Sequence, residues 1–192
     1  HRDRAICTDD YADLALRSSP EVARAECRSA RDLARIDTGG QAVPGVVSVV
    51  ILPYGELPEP QPSNALLARA KTYLEARCAA GVDIVLLGPT YLRVGVDAEL
   101  VVRAGASPAR VVADCEHRVS AFLHPVTGGA DGCGYGFGQE PHVSDLLAAL
   151  DGVEGIDHMG ALWLRFDAQV PGVRERGDFL VCSGRHTIRA SQ

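Results

Sequence analysis

The chain has 192 residues, a formal charge of −6 and 46% hydrophobic residues, enough apolar mass for one large domain or two small ones. Its acidic balance and scattered arginines exclude the concentrated basic patch that phosphate binding needs, and 5% aromatics leave no series of rings for stacking on bases. The longest apolar run, Val46 to Leu52, is strand-sized and interrupted by Ser48, far short of the roughly 20 residues of a membrane helix.

The first residue is His1, and the segment to Asp10 lacks the basic-then-apolar layout of a signal peptide, so the chain is expected to be part of a longer one. Thr8, Asp9 and Asp10 read as a helix start, the Thr8 hydroxyl capping free amides and the carboxylates facing the positive end of the dipole. Tyr11, Leu14 and Ala15 give this helix its apolar stripe, and Pro20 closes it. Strands are expected from Val22 to Arg28 and from Gly45 to Leu52, the second so rich in Val and Ile that it reads as buried on both faces.

Pro53 to Pro62 holds four prolines in ten residues and is a connector. Ser63 then caps a helix carrying Leu66, Leu67, Ala70, Tyr73, Leu74 and Cys78 at three- and four-residue spacing, with Gly81 as its stop. Val82 to Leu87 is a short strand, completing a helix, strand, strand, helix, strand order. A domain boundary is placed near Gly88, giving domains 1–88 and 89–192.

In the second domain Leu92 to Val102 alternates with Arg93, Gly95, Asp97, Glu99 and Val101, a long half-buried strand. Ser107 with Pro108 opens a helix whose buried stripe is Val111, Val112, Cys115, Val119, Phe122 and Leu123, ended by His124 and Pro125. A glycine-rich loop, 125–139, follows, with six glycines in the eleven positions Gly128 to Gly138. Val143, Leu146, Leu147 and Leu150 mark a shorter helix, and strands follow at Gly155 to Phe166 and Asp178 to Ala190, the latter folding back at Ser183 and Gly184. The fold class expected is α+β: two small helix-on-sheet domains, the second ferredoxin-like with a C-terminal hairpin.

The glycine loop invites a phosphate reading, yet it has neither GxxxxGK[ST] nor GxGxxG and follows a helix where a nucleotide loop follows a strand. Asp131 is followed by Cys133, Tyr135 and Phe137 where a calcium loop needs acidic ligands. His117, His124, His142, His158 and His186 are dispersed, and the adjacent His142, Ser144 and Asp145 cannot form a triad, which is assembled from separate segments. Asp9 with Asp10, and Asp97 with Glu99, are accounted for by helix capping and a solvated sheet face. Cys7, Cys27, Cys78, Cys115, Cys133 and Cys182 contain no CxxC and read as reduced thiols. No catalytic residue, metal ligand or cofactor is expected, and a small hydrolase or nucleotide-binding enzyme centred on the loop stands as the alternative.

The segments RAICTDDYADLALRSSPEVARAECRSA, PGVVSVVILP, GPTYLRVGVDAELVV, LHPVTGGADGCGYGFGQ and VCSGRHTIRA, in that order, resemble the C-terminal region of baseplate J-like proteins. These are wedge subunits of contractile phage tails and of related bacterial contractile injection systems. The resemblance implies a structural role through protein contacts rather than catalysis. Its implied partners are other wedge subunits in a sixfold baseplate, hub or spike proteins and sheath-proximal proteins, without nucleic acid or membrane insertion. It also implies assembly in the bacterial cytoplasm as part of a phage tail or tail-like particle, and an N-terminal bundling portion that this chain lacks.

Within the loop, the resemblance points to Pro125, Gly128, Gly129, Asp131, Gly132, Gly134, Tyr135, Phe137 and Gly138 as interaction residues. Tyr135 and Phe137 stand where the family carries aromatic residues, and are expected to anchor the loop on a partner or on the chain's own core. Gln139 and Glu140 replace what is more often a basic residue.

Overall fold

A computed structural model describes residues 4–34 and 42–191, so the terminal His1 lies outside the described residues. The chain divides into two compact units, His1–Pro89 and Thr90–Gln192. Both are mixed α and β, with one three-stranded and one four-stranded sheet and five helices among the described residues.

The first unit runs α1 (Thr8–Ser18), β1 (Val22–Ser29), β2 (Val46–Pro53), α2 (Asn64–Glu75) and β3 (Asp83–Leu87). Cys7, not Thr8, is the residue capping α1; the cap is made from inside, by the Asp10 carboxylate accepting the Ile6 and Cys7 N–H groups at 2.9 Å each. Those bonds hold the Asp10 carboxyl below its ordinary value. The central strand β2 is antiparallel to β1 and parallel to β3, and the parallel step is made by the α2 crossover. Every β2 residue from Val47 onward is buried, which is why the strand reads as a continuous apolar run. Its polar interruption, Ser48, is fully buried and satisfied: its Oγ accepts from Leu33 N at 3.0 Å and donates to the Arg31 carbonyl at 2.7 Å.

Ser63 caps α2 by accepting the Leu66 N–H at 3.1 Å. The helix ends at Glu75, so Gly81 is not its stop; with φ +88° it serves the turn into β3 instead. Leu66, Ala70 and Leu74 from α2 meet Tyr11, Leu14 and Ala15 from α1 in a core closed by Val49, Ile51 and Ile84.

The second unit runs β4 (Tyr91–Val102), α3 (Pro108–Phe122), α4 (Val143–Leu150), β5 (Ile156–Ala168), α5 (Val173–Arg176), β6 (Leu180–Ser183) and β7 (Thr187–Ser191). β4 is central, with β5 antiparallel along one side. The expected C-terminal hairpin is not formed. β6 and β7 both run parallel to β4 on its other side, β6 opposite Tyr91 to Val94 and β7 opposite Asp97 to Val101. A hairpin would reverse the chain, whereas Gly184 to His186 only interrupt one continuing edge. The unit therefore lacks the β-α-β-β-α-β order of a ferredoxin sheet, while keeping helices on a sheet.

The interruption is stitched rather than empty. Gly184 N donates to Val94 O at 3.0 Å, and the buried Val96 N–H donates to His186 Nδ1 at 3.2 Å, so a side chain supplies the acceptor a strand would have given. His186 Nε2 lies 2.9 Å from Ser183 Oγ, which itself donates to Ser120 Oγ on α3. With Nδ1 accepting, the proton sits on Nε2. Gly95 permits the crossing, because a Cβ there would lie 2.7 Å from the Arg185 carbonyl oxygen.

The core packs Val94, Val96, Ala98 and Leu100 of β4 against Val111, Cys115, Val119 and Leu123 of the α3 region and Leu146 and Leu150 of α4. Each Val and Leu side chain among them contributes roughly 1.5–3 kcal/mol of burial. Only part of the α4 stripe is used: Val143 and Leu147 remain 39% and 38% exposed.

Candidate interaction surface

The glycine loop begins where α3 runs out of amide donors. Gly128 N donates to His124 O at 2.8 Å and Gly129 N to Phe122 O at 2.7 Å, satisfying carbonyls at the helix end. His124 Nδ1 accepts the Val126 and Thr127 N–H groups, both at 3.3 Å, folding the chain into a tight turn. Gly134 N returns to Gly128 O at 2.7 Å, and Gly138 N reaches Phe179 O at 2.9 Å, tying the loop to the segment entering β6.

Two glycines explain why the density of this residue is needed. A Cβ at Gly128 would stand 2.2 Å from Phe122 O, 2.5 Å from His124 O and 2.8 Å from His124 N, all backbone atoms. Gly138, at φ +73°, crosses Gly177 so closely that a Cβ would lie 2.6 Å from the Gly177 carbonyl oxygen. Gly129, Gly132 and Gly134 also hold positive φ. The loop is thus built from specified backbone conformations.

These turns deliver Tyr135 into the core. It is 9% exposed, stands edge-on to Phe122 with ring centroids 6.0 Å apart at 79°, and donates its hydroxyl to Asp145 Oδ2 at 3.4 Å. The same oxygen accepts the His142 N–H at 2.8 Å, capping α4. Burial, reinforced by Asp145, pushes the Tyr135 phenol up, keeping it a donor at neutral pH.

Of the residues the sequence singles out, Pro125, Gly128 and Tyr135 are buried, Gly129, Gly134, Phe137 and Gly138 half-buried, and Asp131 and Gly132 exposed at the tip. Tyr135 therefore anchors the loop on the chain's own core. Behind the loop, Glu140 pairs with Arg174, whose Nη2 donates at 2.7 Å and whose guanidinium lies 4.4 Å from the Phe166 ring centroid. Arg174 holds the Glu140 carboxyl below its ordinary value.

The arrangement offers little to a phosphate, because the amides of Gly128, Gly129, Gly134 and Gly138 are already spent on carbonyls. His142, Ser144 and Asp145 sit on one cap: Asp145 engages the His142 main-chain N–H. No cluster of three or more His, Cys, Asp or Glu side chains suited to a metal occurs among the described residues. No helix among them is long and apolar enough to cross a membrane.

A second surface emerges only in three dimensions. On the sheet face away from α3 and α4, Trp163 is 54% exposed beside an open hollow lined by Asp97, Glu99, Arg165, Thr187 and Arg189. Arg165 pairs with Asp97 and donates to Arg185 O at 3.0 Å, and this pairing keeps the Asp97 carboxyl below its ordinary value. The alternation of β4 marks Asp97 and Glu99 as a solvated face; that Trp163 joins them follows from its register opposite Asp97.

No protein-family model matches the chain, and no curated protein matches it in sequence. Among solved structures, it is similar to a chain in the cryo-electron microscopy structure of the anti-feeding prophage baseplate, symmetrised sixfold, with 21% identity and a TM-score of 0.60. The match covers 98% of this chain and 38% of that one, so the chain spans well under half the length of its structural neighbour. At that identity the likeness is one of fold.

Proposed function

We propose that the chain is a structural component of the baseplate of a contractile, phage-tail-like particle. The observation that carries this reading is the fold likeness to a baseplate chain over 98% of the sequence, coming independently of the five ordered motifs that resemble baseplate J-like proteins. The finer reading is a wedge subunit that joins hub, sheath-proximal and peripheral proteins in a sixfold arrangement, in a particle assembled in the bacterial cytoplasm. The two compact units serve as separate helix-on-sheet domains, and the glycine loop is the shaped element of the second.

Within that loop, Tyr135 is the internal anchor, and the exposed tip at Asp131 and Gly132 with the half-buried Phe137 is the surface it presents. Against an enzyme reading centred on the loop stands the use of the Gly128, Gly129, Gly134 and Gly138 amides within the loop's own fold. Deleting the gene in its host tests the proposal: tubes and sheaths lacking an organised baseplate are expected, with recovery on complementation. Normal particles from the deletion strain would refute it.

A further inference from the structure

β5 is an outermost strand, and among the described residues no strand pairs with its far side. Such an edge offers a row of main-chain donors and acceptors to another strand, and folded proteins blunt it with bulges, prolines or lysines. Here the first half is blunted: Gly160 and Asp157 are extra residues relative to β4, at the two register shifts. The second half, Ala161 to Ala168, pairs with β4 without a shift and contains neither proline nor lysine. Its core-facing row, Leu162, Leu164 and Phe166, is only half-buried, and its other row carries the exposed Trp163, Arg165 and Asp167.

We infer that this edge pairs with the same edge of a second copy of the chain, antiparallel, with Leu164 opposite Leu164 of the second copy. The register follows from elimination. Side chains directly opposite in an antiparallel pair share a face, so each copy must shift by an even number of residues to keep its core row in line. Centring on Arg165 sets two guanidinium groups against each other, which is destabilising. Centring on Trp163 runs the pairing into the bulge at Gly160 after five residues, Ala161 to Arg165, and centring on Phe166 reaches the end of β5 after five, Leu164 to Ala168.

Centring on Leu164 keeps Ala161 to Asp167 free of bulges in both copies. It puts Trp163 opposite Arg165, Leu162 opposite Phe166, and Ala161 opposite Asp167, each twice by symmetry. Like charges never meet. Arg165 is held by Asp97 and the Arg185 carbonyl with its guanidinium over Gly95 of β4, so it is the aliphatic stem of Arg165 that is left for the indole of the second copy to cover. The two-fold axis is perpendicular to the sheet, so the helices of both copies lie on one side of the joined sheet.

The test uses the full chain with the exposed Cys7 and Cys133 changed to Ser. Residues opposite in an antiparallel pair have Cα atoms about 4.5–5.5 Å apart, within disulfide reach. Leu164→Cys is therefore expected to give a cross-linked dimer on mild oxidation, and Leu162→Cys, which faces Phe166, is not. In analytical ultracentrifugation the parent chain should be a dimer. Trp163→Arg should raise its dissociation constant at least tenfold, by setting like charges opposite. Trp163→Arg with Arg165→Trp should restore it, the introduced guanidinium lying opposite Asp97 in its own chain. A monomeric parent chain, equal cross-linking at both positions, no rescue by the exchange, or capture of another protein's strand by a monomer would each overturn the inference.

Discussion

Replacing Gly128 by alanine should destabilise the second unit more than the same change at Gly132 on the loop tip. The added Cβ meets three backbone atoms, at 2.2, 2.5 and 2.8 Å, and none belongs to a side chain that can swing away. Relief requires moving the end of α3, which breaks the Gly129 N to Phe122 O and Gly128 N to His124 O bonds that close it. Overpacking costs about 1–3 kcal/mol and more where the backbone must shift, and each lost hydrogen bond adds about 1 kcal/mol; a loss near 4 kcal/mol is expected. For a unit of this size, 1 kcal/mol moves the melting midpoint by about 4–8 °C, so a fall of at least about 15 °C should appear by calorimetry. Gly132→Ala is the control: its φ is +72° but the nearest atom to a Cβ is Thr127 O at 4.0 Å, leaving only a conformational penalty of about 1–2 kcal/mol. Equal effects at the two positions would refute the claim that close packing, rather than general glycine flexibility, dictates the loop.

Tyr135→Ala should cost about 3–5 kcal/mol as a buried ring is deleted, whereas Tyr135→Phe, losing only the hydroxyl bond to Asp145, should cost about 1 kcal/mol; denaturant melts separate the two. His186→Ala leaves the Val96 N–H without its acceptor and should cost about 1–3 kcal/mol, with His186→Gln recovering part of it. Burial chiefly holds His186 below its ordinary value, so the unfolded chain binds the proton at higher pH than the folded one. Its contribution is full above about pH 6.5 and is lost as the pH falls through the lower folded value; the midpoint should drop on acidification, less so in His186→Gln. Native alkylation followed by mass spectrometry should label the exposed Cys7 and Cys133 first and Cys27, Cys115 and Cys182 last. Burial pushes Cys27 up to about 12 and Cys115 up to about 11, suppressing their thiolates.

Elements set by local chemistry are legible in the sequence. Ser63 and Pro108 announce helices, the Val and Ile run of β2 announces a buried strand, and the alternation of β4 names its two faces. What escapes is decided by distant partners. Ser183 and Gly184 look like a reversal because small residues and a glycine do make turns, but the acceptor that keeps the edge running in one direction is the His186 side chain, invisible to any local pattern. Thr8 seems to cap α1 because its hydroxyl suits the task, yet the Asp10 carboxylate takes the amides one residue earlier. The glycines of the loop signal special backbone, and only the crossings at Phe122, His124 and Gly177 show which of them are indispensable. Trp163 carries no sequence signal beyond being the one tryptophan; its exposure follows from a sheet whose helices cover a single face.

We propose that this chain is built into a baseplate. Cryo-electron microscopy of intact particles, purified through an affinity tag on a sheath protein from the strain that encodes the chain, tests it most directly. Density is expected at the end of the tube, repeated around the sixfold axis, into which both units of the chain fit, and mass spectrometry of the same particles should find the chain. Complete particles in which that density belongs to other proteins, and from which the chain is absent, would contradict it.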